Sequence, residues 1–350
     1  MALSKGKHLV GLDIGSSSVK VVELKTTPKG LHQYHLVNLG MERLVPEAIV
    51  DGAIMDSGAV INAIHRVFDQ NRVRVKSVAT SLSGSSVIIR KISLPVMSDE
   101  ELAESIHWEA EQYIPFAIED VNLDYQVMER GSGDQATMDV ILAAVKKDRI
   151  NNYTSVITHA GRIPVVMDID AFALQNAFEI NYPDELDKVL ALINVGASVT
   201  NITIFQQGTS VLWRDISFGG NQYTESIQKE LNLSYEQAEE LKKGGEVEGI
   251  PQESLLSILN SVSANIVREV QKTVDFFQAV SLDKLVISGG SAKIKGLDQF
   301  LSEKLNTPVE MFNPFRNISY SSREFDPDYL NEVAPIFGVA VGLALREVVP

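Results

Sequence analysis

Cysteine is absent from all 350 residues, which excludes disulfides, thiolate catalysis and cysteine-based metal sites. Basic residues are in short supply: 31 Lys and Arg stand against 46 Asp and Glu. The net charge of −15 and the pI near 4.9 argue against nucleic acid as a partner, because phosphate backbones are held mainly by clustered Lys and Arg. A local anion site is still compatible with that balance. The six histidines include no HExxH or paired spacing, so zinc is not expected, and neither a GxSxG elbow nor a Walker A segment occurs. Long apolar runs are missing as well. The longest, "APIFGVAVGLAL" at 334–345, has 12 residues against the roughly 17–25 of a membrane-crossing helix, and reads as a buried C-terminal helix. The start "MALSKGKHLVGLDIG" enters a strand pattern with no apolar h-region of a secretory signal, so the expected location is the cytoplasm.

What is present is an ordinary globular mixture, 45% hydrophobic and 22% charged, long enough for two or more domains with cores of their own. The chain also repeats itself. "VGLDIGSSSVKVVEL" at 10–24 and "LINVGASVTNITIF" at 192–205 align Asp13 with Asn194, Gly15 with Gly196, Ser17 with Ser198 and Val21 with Ile202 at a constant offset of 181 residues. Solenoid units are about 20–50 residues long; so long a period points instead to two related domains facing each other.

Each copy reads as a β-meander, over 9–39 and 189–218, the first with turns at Gly15 to Ser18 and at 28–30. A helix follows around 57–71, with Val60, Ile64, Val67 and Phe68 on one face. From 75 to 167 the order is strand, strand, helix, strand, strand, helix, strand, a compact α+β unit. Its first helix opens with the capping box Ser98 and Glu101 and carries Leu102, Ile106, Ala110 and Tyr113 on one face before Pro115 ends it. The glycine-rich 130–136 reads as a hairpin loop. After the second meander, Gly219 and Gly220 lead into a helix marked by Tyr223, Ile227 and Leu231. A helical region then runs to about 280, with Val262, Ile266, Val270, Val274 and Phe277 in register, and "KLVISGGSAKIKGLDQFLSEKL" reads as strand, Gly-Gly turn and helix.

A hairpin turn built from Gly and Ser points several backbone N–H groups at one spot, and such a nest binds phosphate oxygens. Two related turns in duplicated domains, with a strand-Gly-Gly-helix element able to approach a nucleotide, make a coherent site. "GLDIGSSSVK", "LINVGASVTNI" and "VISGGSAKIKGL" resemble the phosphate-1, phosphate-2 and adenosine motifs of the actin, Hsp70 and sugar-kinase superfamily, and the unit inserted after the first meander resembles the FtsA type of arrangement. More narrowly, "WEAEQYIPF" at 108–116, the "GLDIGSSSVKVVEL" start and "FGGNQYT" resemble the PilM family of type IV pilus assembly proteins. The resemblance covers essentially all of the chain.

It implies an α/β fold: actin-like, FtsA-type duplicated ribonuclease-H-like domains with an inserted α+β subdomain. Subdomain 1A would cover 1–74 and 168–188, the inserted 1C 75–167, 2A 189–230 and 283–333, and 2B 231–282, with 334–350 as a C-terminal helix packing on 1A. ATP and Mg²⁺ are the implied ligands. Gly15, Ser16, Ser17 and Ser18 would hold the β- and γ-phosphates, with Lys20 as a compensating charge, and Gly196, Ala197, Ser198 and Thr200 would close on them from the other domain. Asp13 would hold Mg²⁺ through its water shell, and Asn194 would face it, also through water. Gly220, Gly289, Gly290 and Ser291 would lie along the nucleoside with Lys293 beside it. Glu239 and Lys242 would contact ribose or adenine, although their spacing alone describes a solvent-facing ion pair.

Asn194 sets the expected chemistry. Hydrolytic members of the superfamily commonly have Asp there; an amide accepts no proton and brings no negative charge to Mg²⁺. Asp170 matches the segment where the family places its other water-orienting residue and is the catalytic candidate, with a helix N-cap as the alternative. Slow or absent hydrolysis is therefore expected. The resemblance further implies a partner, the N-terminal cytoplasmic segment of PilN, in a groove between 1A and the inserted subdomain. Trp108, Tyr113 and Phe116 either line that groove or belong to a core. Membrane association would come only through partners, while contacts with other inner-membrane pilus components, with motor ATPases and with further copies of the chain stay open. Two rival readings remain: an actin-like ATPase or small-molecule kinase, which Asn194 disfavours, and an FtsA-like filament-forming division protein, which the end "GLALREVVP", without an amphipathic membrane helix, disfavours.

Overall fold

A short apolar run followed by glycine and serine closes into a hairpin, and this happens twice. In the computed structural model, which describes residues 9–27, 33–131, 137–276 and 281–347, β1 (Val10–Ile14) is buried throughout and pairs antiparallel with β2 (Ser18–Thr26), which pairs with β3 (Tyr34–Arg43). The turn expected at 28–30, the loop residues 132–136 and Phe277 lie outside the described residues. A small hairpin of β4 (Ile49–Val50) and β5 (Ala53–Ile54) leads into α1 (Ser57–Gln70), where the Asp56 carboxylate caps the first turn by accepting from the Ala59 amide at 2.9 Å. Val60, Ile64, Val67 and Phe68 are all fully buried on its inner face, as their period requires. Next, β6 (Ser77–Leu82) pairs parallel with β1.

A separate sheet follows. Strands β7 (Val87–Pro95), β8 (Val121–Arg130) and β9 (Thr137–Lys146) are ordered β7-β9-β8, and α2 (Asp99–Ala110) covers one face through Leu102, Ile106 and Ala110. The α2 capping box closes in both directions, Glu101 N–H to Ser98 Oγ at 3.2 Å and Ser98 N–H to Glu101 Oε2 at 2.8 Å. Then the chain returns to the first sheet: α3 (Lys147–His159) packs Tyr153, Val156 and Ile157 into the core that holds α1, and β10 (Ile163–Ile169) pairs parallel with β6. The sheet of the inserted unit thus spans 87–146 rather than 75–167. Strands β6 and β10 have the same apolar character as the inserted ones, and which sheet they join is a long-range choice that local pattern does not report.

Helix α4 (Asp170–Asn181) connects to the second half. There β11 (Leu190–Val195), β12 (Thr200–Gln206) and β13 (Thr209–Ile216) repeat the meander, followed by α5 (Gly220–Leu231), α6 (Tyr235–Lys242) and α7 (Gln252–Phe276). Strand β14 (Lys284–Ser288) pairs parallel with β11. The helix expected directly after Gly289 and Gly290 starts later, as α8 (Leu297–Leu305), because a tight 3₁₀ turn over Gly290–Lys293 comes first. The chain finishes with β15 (Val309–Met311), β16 (Ile318–Ser319), α9 (Pro327–Val333) and α10 (Gly338–Ala344). The order β3-β2-β1-β6 of one sheet is repeated as β13-β12-β11-β14 in the other. One core joins the halves, with Leu9, Val22 and Leu24 of the first and Leu192, Phe205 and Phe312 of the second packed around α4 and α10. The approach is so close that a Cβ on Gly342 of α10 would stand 1.6 Å from the Ala173 carbonyl oxygen. Among the described residues no helix is long and apolar enough to cross a membrane.

Candidate functional site

The turn after β1 and the turn after β11 are closed by the same bond: the Gly15 amide donates to the Ser18 carbonyl at 3.1 Å and the Gly196 amide to the Val199 carbonyl at 2.9 Å. Strand register then sets Asp13 opposite Lys20 and Asn194 opposite Asn201. Lys20 Nζ donates to Asp13 Oδ2 at 2.9 Å, and Asn194 Nδ2 donates to Asn201 Oδ1 at 2.9 Å. An ion pair in one hairpin is answered by an amide pair in the other. The Asp13 and Lys20 side chains are only 12% and 11% exposed, so each charge depends on the other to remain buried.

Acidic groups gather where the turns meet. Asp170 opens α4 without capping it: the N-cap is Ile169, and the carboxylate instead accepts from Ser81 Oγ at 2.5 Å, with Ser83 as a further partner. The N-cap alternative fails because the side chain points to the end of β6 and the residue just after it, not to its own helix. Burial and then the negative charge of Asp13 push Asp170 up to about 7, against the two serine hydrogen bonds. Burial also pushes up Asp215, on β13, although Asn201 Nδ2 at 2.8 Å and the Gly84 amide at 2.7 Å donate to it. Gly84 also meets the second turn, since a Cβ there would lie 3.5 Å from Val199 Cγ2. Burial and the charges of Asp170 and Asp13 raise Tyr153, which donates to the Gly52 carbonyl at 3.2 Å.

Glu239 and Lys242 are not a solvent-facing pair. Their side chains are 15% and 11% exposed, bonded to each other and to Thr224, and Lys242 Nζ also donates to the Gly220 carbonyl at 3.2 Å. Helix α6 packs against α5 and turns this face inward, which spacing along one helix could not tell. Burial opposes the Glu239 charge, but hydrogen bonds from Lys242, Lys243 and Thr224 outweigh it and hold Glu239 at about 2; burial pulls Lys242 down against its carboxylate partner. Ser291 Oγ donates to the Gly196 carbonyl at 2.9 Å, so the third glycine element is fastened to the second turn. Gly289, at φ 94, must be glycine: a Cβ would stand 2.3 Å from the Val195 carbonyl oxygen. By contrast, Gly290 has open space. Lys293 is paired with Glu332 at 3.3 Å, Asn221 Nδ2 donates to Ser198 Oγ at 3.2 Å, and Ser16 and Ala197 are half-buried while Ser17 is exposed. Thr200 is fully buried and donates to the Phe218 carbonyl at 2.8 Å.

This donor set suits a nucleotide phosphate chain with a hydrated cation: two Gly-Ser turns, a buried Lys20 and open backbone at Gly290. No group of three or more His, Asp or Glu residues among the described residues is placed to hold a metal directly. Sequence reasoning missed Ser81, Ser83, Gly84, Asn201, Asp215 and Thr224. The run "SLSGSS" at 81–86, spanning the end of β6, is a visible signal; Asp215 carries none.

A second concavity, of about 430 Å³, lies between the inserted sheet, α4 and β13. Tyr125, Met128, Ile141, Phe172 and Trp213 form its apolar walls, and at its rim Arg346 Nε donates to Asp168 Oδ2 at 2.6 Å. Trp108, Tyr113 and Phe116 are not among its lining residues. Helix α2 turns its apolar stripe onto its own sheet, leaving Trp108 73% exposed on the far side, while Phe116 lies under the Lys146 ammonium at 4.3 Å.

Paired sheets of the same wiring, each with a glycine turn after its first strand, define an actin-like fold. Solved relatives agree: ethanolamine utilization protein EutJ from Carboxydothermus hydrogenoformans superposes with a TM-score of 0.59 at 14% identity, covering 97% of this chain and 90% of that one, and MreB5 of Spiroplasma citri bound to ADP with 0.53 at 14%, covering 93% and 98%. Cell division protein FtsA of Pseudomonas aeruginosa is 22% identical over 391 residues, covering 98% of this chain and 90% of that protein. The chain belongs to the family of the type IV pilus assembly protein PilM, whose family model matches residues 11–348. A chain of the PilM-PilN type IV pilus biogenesis complex superposes with a TM-score of 0.88 at 29% identity, covering 99% of this chain and all of that one.

Proposed function

We propose that this protein is an ATP-binding adaptor of the type IV pilus assembly complex at the inner membrane, and that it hydrolyses its nucleotide slowly or not at all. The observation that carries this reading is the asymmetry of the facing hairpins, Asp13–Lys20 against Asn194–Asn201. Gly15 to Ser18 and Gly196 to Ser198 would hold the phosphates, Lys20 would balance their charge, and Asp13 would hold the hydrated Mg²⁺. Glu239, Lys242 and Thr224 would meet the nucleoside, with Gly220, Gly289, Gly290 and Ser291 letting it approach. Bound Mg²⁺ would neutralise phosphate charge. On the second turn, Asn194 is engaged with Asn201 and brings no carboxylate. Asp170, poised near neutrality, is then the group that can take a proton from water.

A single-turnover experiment tests this, with excess protein, labelled ATP and Mg²⁺, separating free ATP, bound ATP and bound ADP. ATP retained intact is the expected result. Rapid conversion to ADP would refute the blunted site and make Asp170→Asn the next variant; neither retention nor conversion would refute nucleotide binding.

The groove's proposed occupant is the N-terminal cytoplasmic segment of PilN, supported by the family and by the solved PilM-PilN relative. Apolar walls suit an extended peptide that fills pockets and makes main-chain bonds, and the −15 net charge suits a basic juxtamembrane tail. Membrane association would then come through that partner. Deleting the segment from PilN should abolish co-purification, and unchanged binding would refute the assignment. The FtsA relatives favour one rival, a membrane-bound filament; sedimentation with lipid vesicles in the absence of any partner would support it instead.

A further inference from the structure

We infer that Arg149 is the residue by which the cleft tells a nucleoside triphosphate from a diphosphate, its guanidinium pairing with the terminal phosphate; this rests on the nucleotide reading given above. Arg149 lies in the first turn of α3, and Tyr153 stands one turn further along the same face. Both side chains turn to the β4–β5 hairpin. Tyr153 Oη donates to the Gly52 carbonyl at 3.2 Å, and a Cβ on Gly52 would lie 3.8 Å from Arg149 Nη1. That same Cβ would lie 3.5 Å from the carbonyl oxygen of Ser83, whose hydroxyl is bonded to the Asp170 carboxylate. Gly52 is therefore the point where α3, the hairpin and the turn after β6 converge. The charges of Asp170, Arg149 and Asp13 all reach the Tyr153 hydroxyl, the carboxylates raising it and the guanidinium lowering it, so the arginine shares this end of the cleft with them.

The guanidinium has no counter-charge within the chain. Arg149 Nη1 is buried without a hydrogen-bond partner, and the side chain makes no ion pair among the described residues, in a chain whose 46 acidic residues outnumber its 31 Lys and Arg. The carboxylates nearby are already engaged: Asp13 with Lys20, Asp170 with Ser81 and Ser83, and Asp215 with Asn201 and the Gly84 amide. A buried charge is normally paired, so the anion for Arg149 comes from outside the chain. Its place says which anion. Thr224, Glu239 and Lys242, assigned above to the nucleoside, belong to α5 and α6 of the second half. Arg149 belongs to the first half and stands beside Asp170, the group set against the water that attacks the terminal phosphate. A fork of N–H donors suits a phosphate with free oxygens, and a diphosphate stops one phosphate short of it.

The test uses the full chain and isothermal titration calorimetry with AMPPNP and with ADP, each in the presence of Mg²⁺. The wild type should hold AMPPNP more tightly than ADP. Arg149→Ala should weaken AMPPNP by about tenfold to a hundredfold, the scale of hydrogen bonds to a charged group, while ADP stays nearly unchanged, so that the preference disappears. Arg149→Lys, which keeps the charge but loses the fork, should recover part of it. A role confined to holding α3 against the hairpin would move both nucleotides alike. Thermal unfolding checks each variant; if Arg149→Ala does not fold, Arg149→Gln, which keeps much of the aliphatic stem and removes the charge, takes its place. Equal weakening of AMPPNP and ADP, or AMPPNP affinity unchanged in the variant, overturns the inference and leaves nucleotide binding standing. Equal wild-type affinity for the two nucleotides does the same. Binding of neither nucleotide by the wild type overturns the nucleotide reading and this inference with it.

Discussion

The hairpin at Gly15 and the hairpin at Gly196 share backbone and register, yet one holds a buried ion pair and the other a buried amide pair. Backbone geometry is therefore the part of the duplication that was kept, and electrostatics the part that diverged. A carboxylate with a lysine beside it can face a hydrated cation and its phosphates. Two amides can only orient and hydrogen-bond, and here they are spent on a chain that runs from Asn194 through Asn201 to Asp215 and Gly84. The first hairpin closes on its own charge pair, while the second leads through Asp215 to Gly84 of the first half.

Breaking the ion pair should have the largest effect. Lys20→Ala leaves Asp13 buried, charged and close to Asp170, and should cost about 3–5 kcal/mol, seen as a large fall in the urea midpoint together with loss of ATP retention. A change under 1 kcal/mol would mean that the pair is not what keeps this hairpin in place. The next effect concerns the glycines. A Cβ at Gly196 would stand 2.7 Å from the Val199 carbonyl oxygen, whereas at Gly15 the nearest atom is 3.4 Å away. Gly196→Ala should therefore destabilise by about 1–3 kcal/mol and Gly15→Ala by clearly less, both measured by denaturant unfolding.

Converting the second hairpin into the first is a sharper test. Asn194→Asp removes the donor to Asn201 and sets two acceptors against each other, so it should lose about 1–2 kcal/mol while raising single-turnover hydrolysis. Adding Asn201→Lys, which transplants the Asp13–Lys20 arrangement, should recover stability. Failure of the double variant to recover would show that the link from Asn201 to Asp215 outweighs the pair itself.

The smallest effect is a contrast in pH. Asp170 titrates near 7 when folded against an ordinary 3.8. The fold favours its protonated form, and the stability it contributes is lost as pH rises from about 4 through 7. Glu239 is held at about 2 against an ordinary 4.5; its contribution is complete above that ordinary value and is lost as pH falls through 2. Urea unfolding of the nucleotide-free chain across this range should show both arms, Asp170→Asn flattening the upper one and Glu239→Gln the lower one. An unchanged profile in Asp170→Asn would place its titration elsewhere.

Much of this architecture is legible in the order of residues. The 181-residue offset, the Gly-Ser turns, the capping box at Ser98 and the helical face of Val60 to Phe68 are all local patterns or simple repeats of them, and the elements they specify are present at those positions. Legibility fails wherever the answer depends on what an element packs against. Glu239 and Lys242 have the spacing of a surface pair but sit on the inner face of α6. Asp170 sits where a cap is expected, but its carboxylate bonds across 89 residues to Ser81. The aromatics Trp108, Tyr113 and Phe116 cluster along the chain, whereas the groove's aromatic walls come from Tyr125, Phe172 and Trp213, which are far apart in the chain and set in ordinary strand and helix patterns.

Local order in the chain thus settled the hairpins, their glycine turns and the repeat, because a turn and its flanking strands interact over short separations where residue type alone limits the backbone. Folding in three dimensions decided which sheet β6 and β10 would join, the meeting of Asp13, Asp170 and Asp215, and the bond from Asp215 on β13 to Gly84. Those features rest on contacts such as Gly84 with Asp215, 131 residues apart, for which burial and the pairing of polar groups across the whole core choose the partner.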